Sequence, residues 1–66
     1  MNAMPFIKFK EPDGKVKLLN ADSIREAEFD PKEGILTVFI GNNGGTSYYL
    51  HGNEARAALQ ILENLA

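Results

Sequence analysis

The sequence predicts an α+β domain: an antiparallel β-meander of about five strands, then one C-terminal amphipathic helix packed on one face. Three observations predict it. Short stretches alternate apolar and polar residues with a period of two, the signature of a half-buried strand. Turn-forming segments rich in Pro, Gly, Asp and Asn separate those stretches. From Asn53 to Ala66 the apolar period becomes helical, with Ala55, Ala58, Leu59, Leu62 and Leu65 on one face.

Pro5–Lys10 and Lys15–Asn20 read as a hairpin. Ile7 and Phe9 alternate with Lys8 and Lys10, and Val16 and Leu18 with Lys15 and Lys17. Between them, Glu11-Pro12-Asp13-Gly14 offers a Pro preset for the second position of a type I turn and a Gly that tolerates positive φ. Asn20-Ala21-Asp22-Ser23 is polar and turn-prone, and a third strand follows at about Ile24–Phe29. Asp30-Pro31-Lys32-Glu33-Gly34 repeats the logic of the first turn. Ile35–Ile40 is apolar at five of its six positions, which suits a central strand covered on both faces. Gly41–Gly45 forms the third turn and Thr46–His51 the fifth strand. Gly52 and Asn53 open the helix, where the Asn53 side chain suits a cap and the Glu54 carboxylate favours the helix dipole.

One short helix covers one face of a sheet. On the fourth strand Leu36, Val38 and Ile40 share a face, while Ile35 and Phe39 share the other with Thr37; on the fifth, Tyr48 and Leu50 oppose Tyr49. Whichever face takes the helix, an aromatic and an aliphatic residue remain behind it. Either the sheet curls so that its N-terminal hairpin covers this patch, or the patch meets a partner. Large exposed apolar patches mark interaction sites, and small homo-oligomers are common. Ile35, Phe39 and Tyr49 are the expected interface residues, against a second copy or another protein.

Size points the same way. The 66 residues make one domain, taken as 4–66, with Met1-Asn2-Ala3 read as residues added artificially ahead of the natural start, Met4. A chain this short buries only about 60% of its unfolded surface. Disulfides, metal or oligomerisation usually help such a core. With 0 Cys and 1 His, disulfides, thiolate metal sites and His-rich metal sites are excluded, leaving oligomerisation. A net charge of -2 and an apolar fraction of 44% describe a globular rather than a disordered chain. No apolar run approaches the ~20 residues that span a bilayer, and no long apolar stretch follows a basic start. The expectation is a cytoplasmic protein without a membrane partner.

Lys8, Lys10, Lys15 and Lys17 are the electrostatic candidates. Alternation puts each pair on one face of its strand, and a hairpin could gather the four into one basic patch. The first 17 residues set these 4 lysines against Glu11 and Asp13, whereas most acidic residues come later. Such a patch could hold the phosphates of RNA or another anion. Equally, it is a solvated face, or lysines blunting a sheet edge against aggregation; it lacks Arg, the preferred reader of base edges.

The remaining candidates carry less. Tyr48 and Tyr49 are adjacent on a strand and point to opposite faces, so they cannot make one base-stacking platform, and packing is expected of them. Gly41–Gly45 leads into a strand and lacks the Lys of a phosphate loop, which makes it a hairpin turn. His51 could bind an anion or sense pH, or is a surface histidine. Glu26 and Glu28 share a face, but two carboxylates are too few to specify a cation site. Ser23 and Ser47 have no visible base partner. No catalytic, metal or cofactor-binding residue is assigned, and the chain is expected not to be an enzyme.

Ser23-Ile24, Phe29-Asp30-Pro31, Gly34, Leu36, Val38, Phe39, Gly44-Gly45 and Tyr49 together resemble the KTSC domain, over roughly Ser23–Leu59. The resemblance implies a small bacterial module, of a kind sometimes appended to lysyl-tRNA synthetases, for which RNA binding has been suggested. The chain departs from that family's Tyr-x-Tyr motif: Ser47 stands where the first Tyr would be, and Tyr48 fills the middle position. Its front half also resembles the flagellar FlbD family, through Gly14, Leu19-Asn20-Ala21-Asp22 and Ile24; that family has shorter turns and a different C-terminal helix. Two partial likenesses point to a shared architecture, which does not fix function. The expected function is a non-enzymatic interaction module that self-associates through Ile35, Phe39 and Tyr49. The alternative is RNA or anion binding through the lysines of the hairpin.

Overall fold

The computed structural model describes residues 5–41 and 45–65. Met1-Asn2-Ala3, read as added residues, the middle of the third turn with Gly44, and Ala66 at the expected helix end lie outside the described residues. Among the described residues, five antiparallel strands, β1 (Phe6–Lys10), β2 (Val16–Asn20), β3 (Ile24–Asp30), β4 (Ile35–Ile40) and β5 (Ser47–His51), precede one helix, α1 (Gly52–Leu65). The fold is α+β with the helix packed on the strands, as the sequence predicts.

The strands divide into two sheets, β1-β2 and β3-β4-β5, with β4 central in the second. The division falls at a single 3-10 turn, Ala21–Ser23. There Asn20 Oδ1 accepts the Asp22 N–H at 2.9 Å and Ser23 Oγ donates to the Asn20 carbonyl at 2.6 Å. Ala21 is buried at this corner. The chain leaves the hairpin through a hydrogen-bonded corner rather than a strand-to-strand turn, so β2 does not pair with β3.

The two Pro-bearing turns form as their residues dictate. Gly14 has φ +91 and Gly34 φ +71, a region that residues with a Cβ enter only at a cost. Gly14 donates its N–H to the Glu11 carbonyl at 2.8 Å. Asp30 Oδ1 accepts the N–H groups of Lys32 and Glu33, the side-chain turn for which Asp is favoured. At the helix, Asn53 lies inside the first turn rather than ahead of it. Glu54 reaches across the molecule, and its Oε2 accepts the backbone N–H of Lys10 at 3.0 Å.

The buried core consists of Ile7 and Phe9 of β1, Ala21, Leu36 and Val38 of β4, Leu50 of β5, and Ala55 and Ala58 of α1. Each fully buried aliphatic side chain contributes roughly 1.5–3 kcal/mol. The alanines leave room for the helix axis to approach, and α1 packs against β1, β4 and β5. The Phe9 and Tyr48 rings, 5.5 Å apart and inclined at 57°, fasten β1 to β5. Helix and hairpin therefore lie on the same side of the β3-β4-β5 sheet. The hairpin does not wrap round to the far side.

Alternation alone marks Val16 and Leu18 as the apolar side of β2. The hairpin register reverses that side: Ile7 stands opposite Leu19, Lys8 opposite Leu18, Phe9 opposite Lys17 and Lys10 opposite Val16. Opposed residues share a face, so Leu19 and Lys17 join Ile7 and Phe9 towards the core. Val16 and Leu18 face out at 54% and 63% exposure.

Candidate interaction surfaces

The far side of the β3-β4-β5 sheet is defined by register. Across its three strands, Glu26, Phe39 and Ser47 make one row, Glu28, Thr37 and Tyr49 the next, and Asp30, Ile35 and His51 the third. All nine side chains share this face by pleat geometry. Among the described residues, neither the helix nor the hairpin covers it. The three expected interface residues are thus brought together: Ile35 and Phe39 are half-buried down the central strand, and Tyr49 beside them is 63% exposed. A shallow depression of about 530 Å³ opens among Glu28, Asp30, Ile35, Thr37 and Tyr49.

The acidic column is partly engaged. The β3–β4 register shifts between Ile24 and Glu26, leaving Arg25 as the extra residue. Its Nη1 lies 3.3 Å from Glu26 Oε1 and its Nε donates to the Gly41 carbonyl at 2.8 Å. This pair is about half exposed, so it adds at most about 1 kcal/mol. Glu28 has no ion-pair or hydrogen-bond partner among the described residues.

The lysines do not form one patch. Lys8 and Lys10 face outward on β1, whereas Lys17, opposite Phe9, turns towards the core side and holds its Nζ 5.1 Å from the centre of the Tyr48 ring. Lys15 lies at the end of the turn, its N–H on Asp13 Oδ1 and its carbonyl accepting from Glu11. The same register that exposes Val16 and Leu18 divides the lysines between faces.

A second exposed surface results, one that the sequence reading did not single out. On the outer side of the hairpin, Phe6, Lys8 and Lys10 of β1 stand beside Leu18 and Val16 of β2. Phe6 is 54% exposed. The signal for Phe6 was present, because it shares strand parity with Lys8 and Lys10.

Among the described residues, the Ser and His side chains of β5 are not brought within reach of each other. A cleft of about 390 Å³ between β1 and β5 is bordered by Lys10, Glu11, Ser47 and His51. Ser47 and His51 are four residues apart along β5, about 13 Å in an extended strand, far beyond hydrogen-bond reach. Among the described residues, no group of three or more His, Cys, Asp or Glu side chains is placed to hold a metal ion. Among the described residues, no helix is long and apolar enough to cross a membrane. Comparison of the chain with family models, curated proteins and solved structures finds no match, so the chemistry of these surfaces rests on their own geometry.

Proposed function

We propose that this chain is a non-enzymatic interaction module that self-associates through the far face of the β3-β4-β5 sheet, with Ile35, Phe39 and Tyr49 at the contact. The observation that carries this reading is that helix and hairpin both lie on the opposite face, leaving these three side chains uncovered together. Three strands about 4.8 Å apart and five residues at about 3.4 Å each give the face a plan of roughly 15 by 17 Å. That is about 250 Å² of plan per copy, short of the roughly 1,000 Å² total buried by a stable interface, so a contact on this face alone is transient. The association is therefore weak and concentration-dependent. A small core without disulfides gains most from even a modest second layer of apolar contact.

Sedimentation equilibrium over a wide concentration range tests the reading. The wild type should exceed the monomer mass as concentration rises, and Phe39→Asp should remain a folded monomer. A wild type that stays monomeric throughout overturns it. The separation of Lys17 from Lys8 and Lys10 leaves RNA or anion binding without a four-lysine patch. Tight, salt-sensitive binding of single-stranded RNA by the monomer would restore that reading instead.

A further inference from the structure

We infer that self-association is head to tail: the outer face of the hairpin of one copy packs on the far sheet face of the next. The inference rests on the sheet-face reading above and adds the identity of the opposing surface. Two exposed faces of this molecule carry complementary columns. On the hairpin, Lys8 and Lys10 of β1 form a cationic column, and Leu18 and Val16 of β2 an apolar column beside it. On the far sheet face, Glu26 (already paired with Arg25), Glu28 and Asp30 of β3 form an acidic column beside Phe39, Thr37 and Ile35 on β4, a column apolar at its two ends.

The spacings agree in both directions. Neighbouring columns lie about 4.8 Å apart in each sheet, and alternate residues along a strand about 6.7 Å apart. When the two faces stack with β1 over β3 and β2 over β4, the lysines meet the glutamates, one of Leu18 and Val16 meets Phe39 while the other meets Thr37, and Tyr49 of β5 lies at the rim of the contact. Stacked sheets sit about 10 Å apart, a gap that these side chains fill.

A symmetric pairing of two far faces satisfies less. With its two-fold axis across the strands it sets the Glu26-Glu28-Asp30 column against its own copy. With the axis along the strands it sets the acids against Ser47, Tyr49 and His51, without a permanent cation. It also leaves Phe6, Val16 and Leu18 in water, whereas the head-to-tail contact removes Val16 and Leu18 from it. A heterologous contact of this kind continues into a chain or closes into a ring, and its charge pairs make it sensitive to salt.

Two substitutions at exposed positions separate the possibilities. Leu18→Asp blocks only the hairpin face, and Glu28→Lys places a cation where the next copy brings Lys8 and Lys10. In sedimentation equilibrium, each variant alone should remain monomeric at concentrations where the wild type assembles, with circular dichroism confirming the fold. Their mixture should form a one-to-one pair and nothing larger, since each contributes one intact face. Leu18→Asp associating like the wild type, or a mixture that stays monomeric, overturns the head-to-tail contact while leaving the sheet-face reading intact. A wild type that never associates overturns both.

Discussion

Phe9 stands directly opposite Lys17 in the hairpin, and this pairing decides which side of β2 meets water. Because Phe9 packs on Tyr48, its partner must also face inward, and Lys17 does so by holding its ammonium against the same aromatic ring. Val16 and Leu18 are then turned outward beside Lys8 and Lys10. A register shifted by one residue would bury both and expose Lys17 and Leu19.

The first expectation follows from that inversion. Ile7→Ala empties a site that is 1% exposed and should cost about 2–5 kcal/mol. Leu18→Ala, on the opposite side of the hairpin, should change monomer stability by no more than about 0.5 kcal/mol. Chemical denaturation at low concentration compares them; equal losses would mean that Leu18 is part of the core.

Glu54 links the helix to β1, so removing its carboxylate should be felt at both elements. Glu54→Ala should destabilise the chain by about 1–2 kcal/mol, the range for a hydrogen bond to a charged group reduced for partial exposure. Amide exchange should localise the effect: the Lys10 N–H should exchange faster in Glu54→Ala than in Glu54→Gln, which keeps an acceptor. Unchanged Lys10 exchange in both would contradict the link.

Gly34 is required for its backbone conformation rather than for space. Its φ is +71 and a Cβ there would touch nothing within 4 Å. Gly34→Ala should therefore cost about 1–2 kcal/mol, and Gly34→Asn less, because Asn enters this region more readily. Thermal unfolding of the two variants checks the order; an Ala variant as stable as wild type would contradict a purely conformational demand.

Much of this architecture is legible in the sequence because it is locally encoded. The Pro-to-Gly turns at 11–14 and 30–34 have their own hydrogen-bonding chemistry, the apolar run Ile35–Ile40 marks the central strand, and the change of period at residue 53 marks the helix. The grouping of Ile35 with Phe39 follows from strand parity alone. What depends on pairing between segments is not legible. Val16, Lys17, Leu18 and Leu19 form a run in which either parity offers an apolar face, and only contact with Phe9 and Tyr48 selects one. Likewise, the division into two sheets comes from a corner whose hydrogen bonds run from Asn20 to Asp22 and Ser23, residues that in sequence simply look turn-prone. The acidic column beside Phe39 depends on the β3–β4 register and on the bulge at Arg25, which the spacing of glutamates does not reveal.

The most direct measurement of the central claim is a series of amide chemical shifts followed from dilute to concentrated solution. The account predicts that the amides of Ile35, Thr37, Phe39 and Tyr49 move with concentration, while those of Arg56, Gln60 and Glu63 on the exposed side of the helix stay fixed. Shifts that do not change at any concentration, or that gather on Arg56, Gln60 and Glu63, would contradict it.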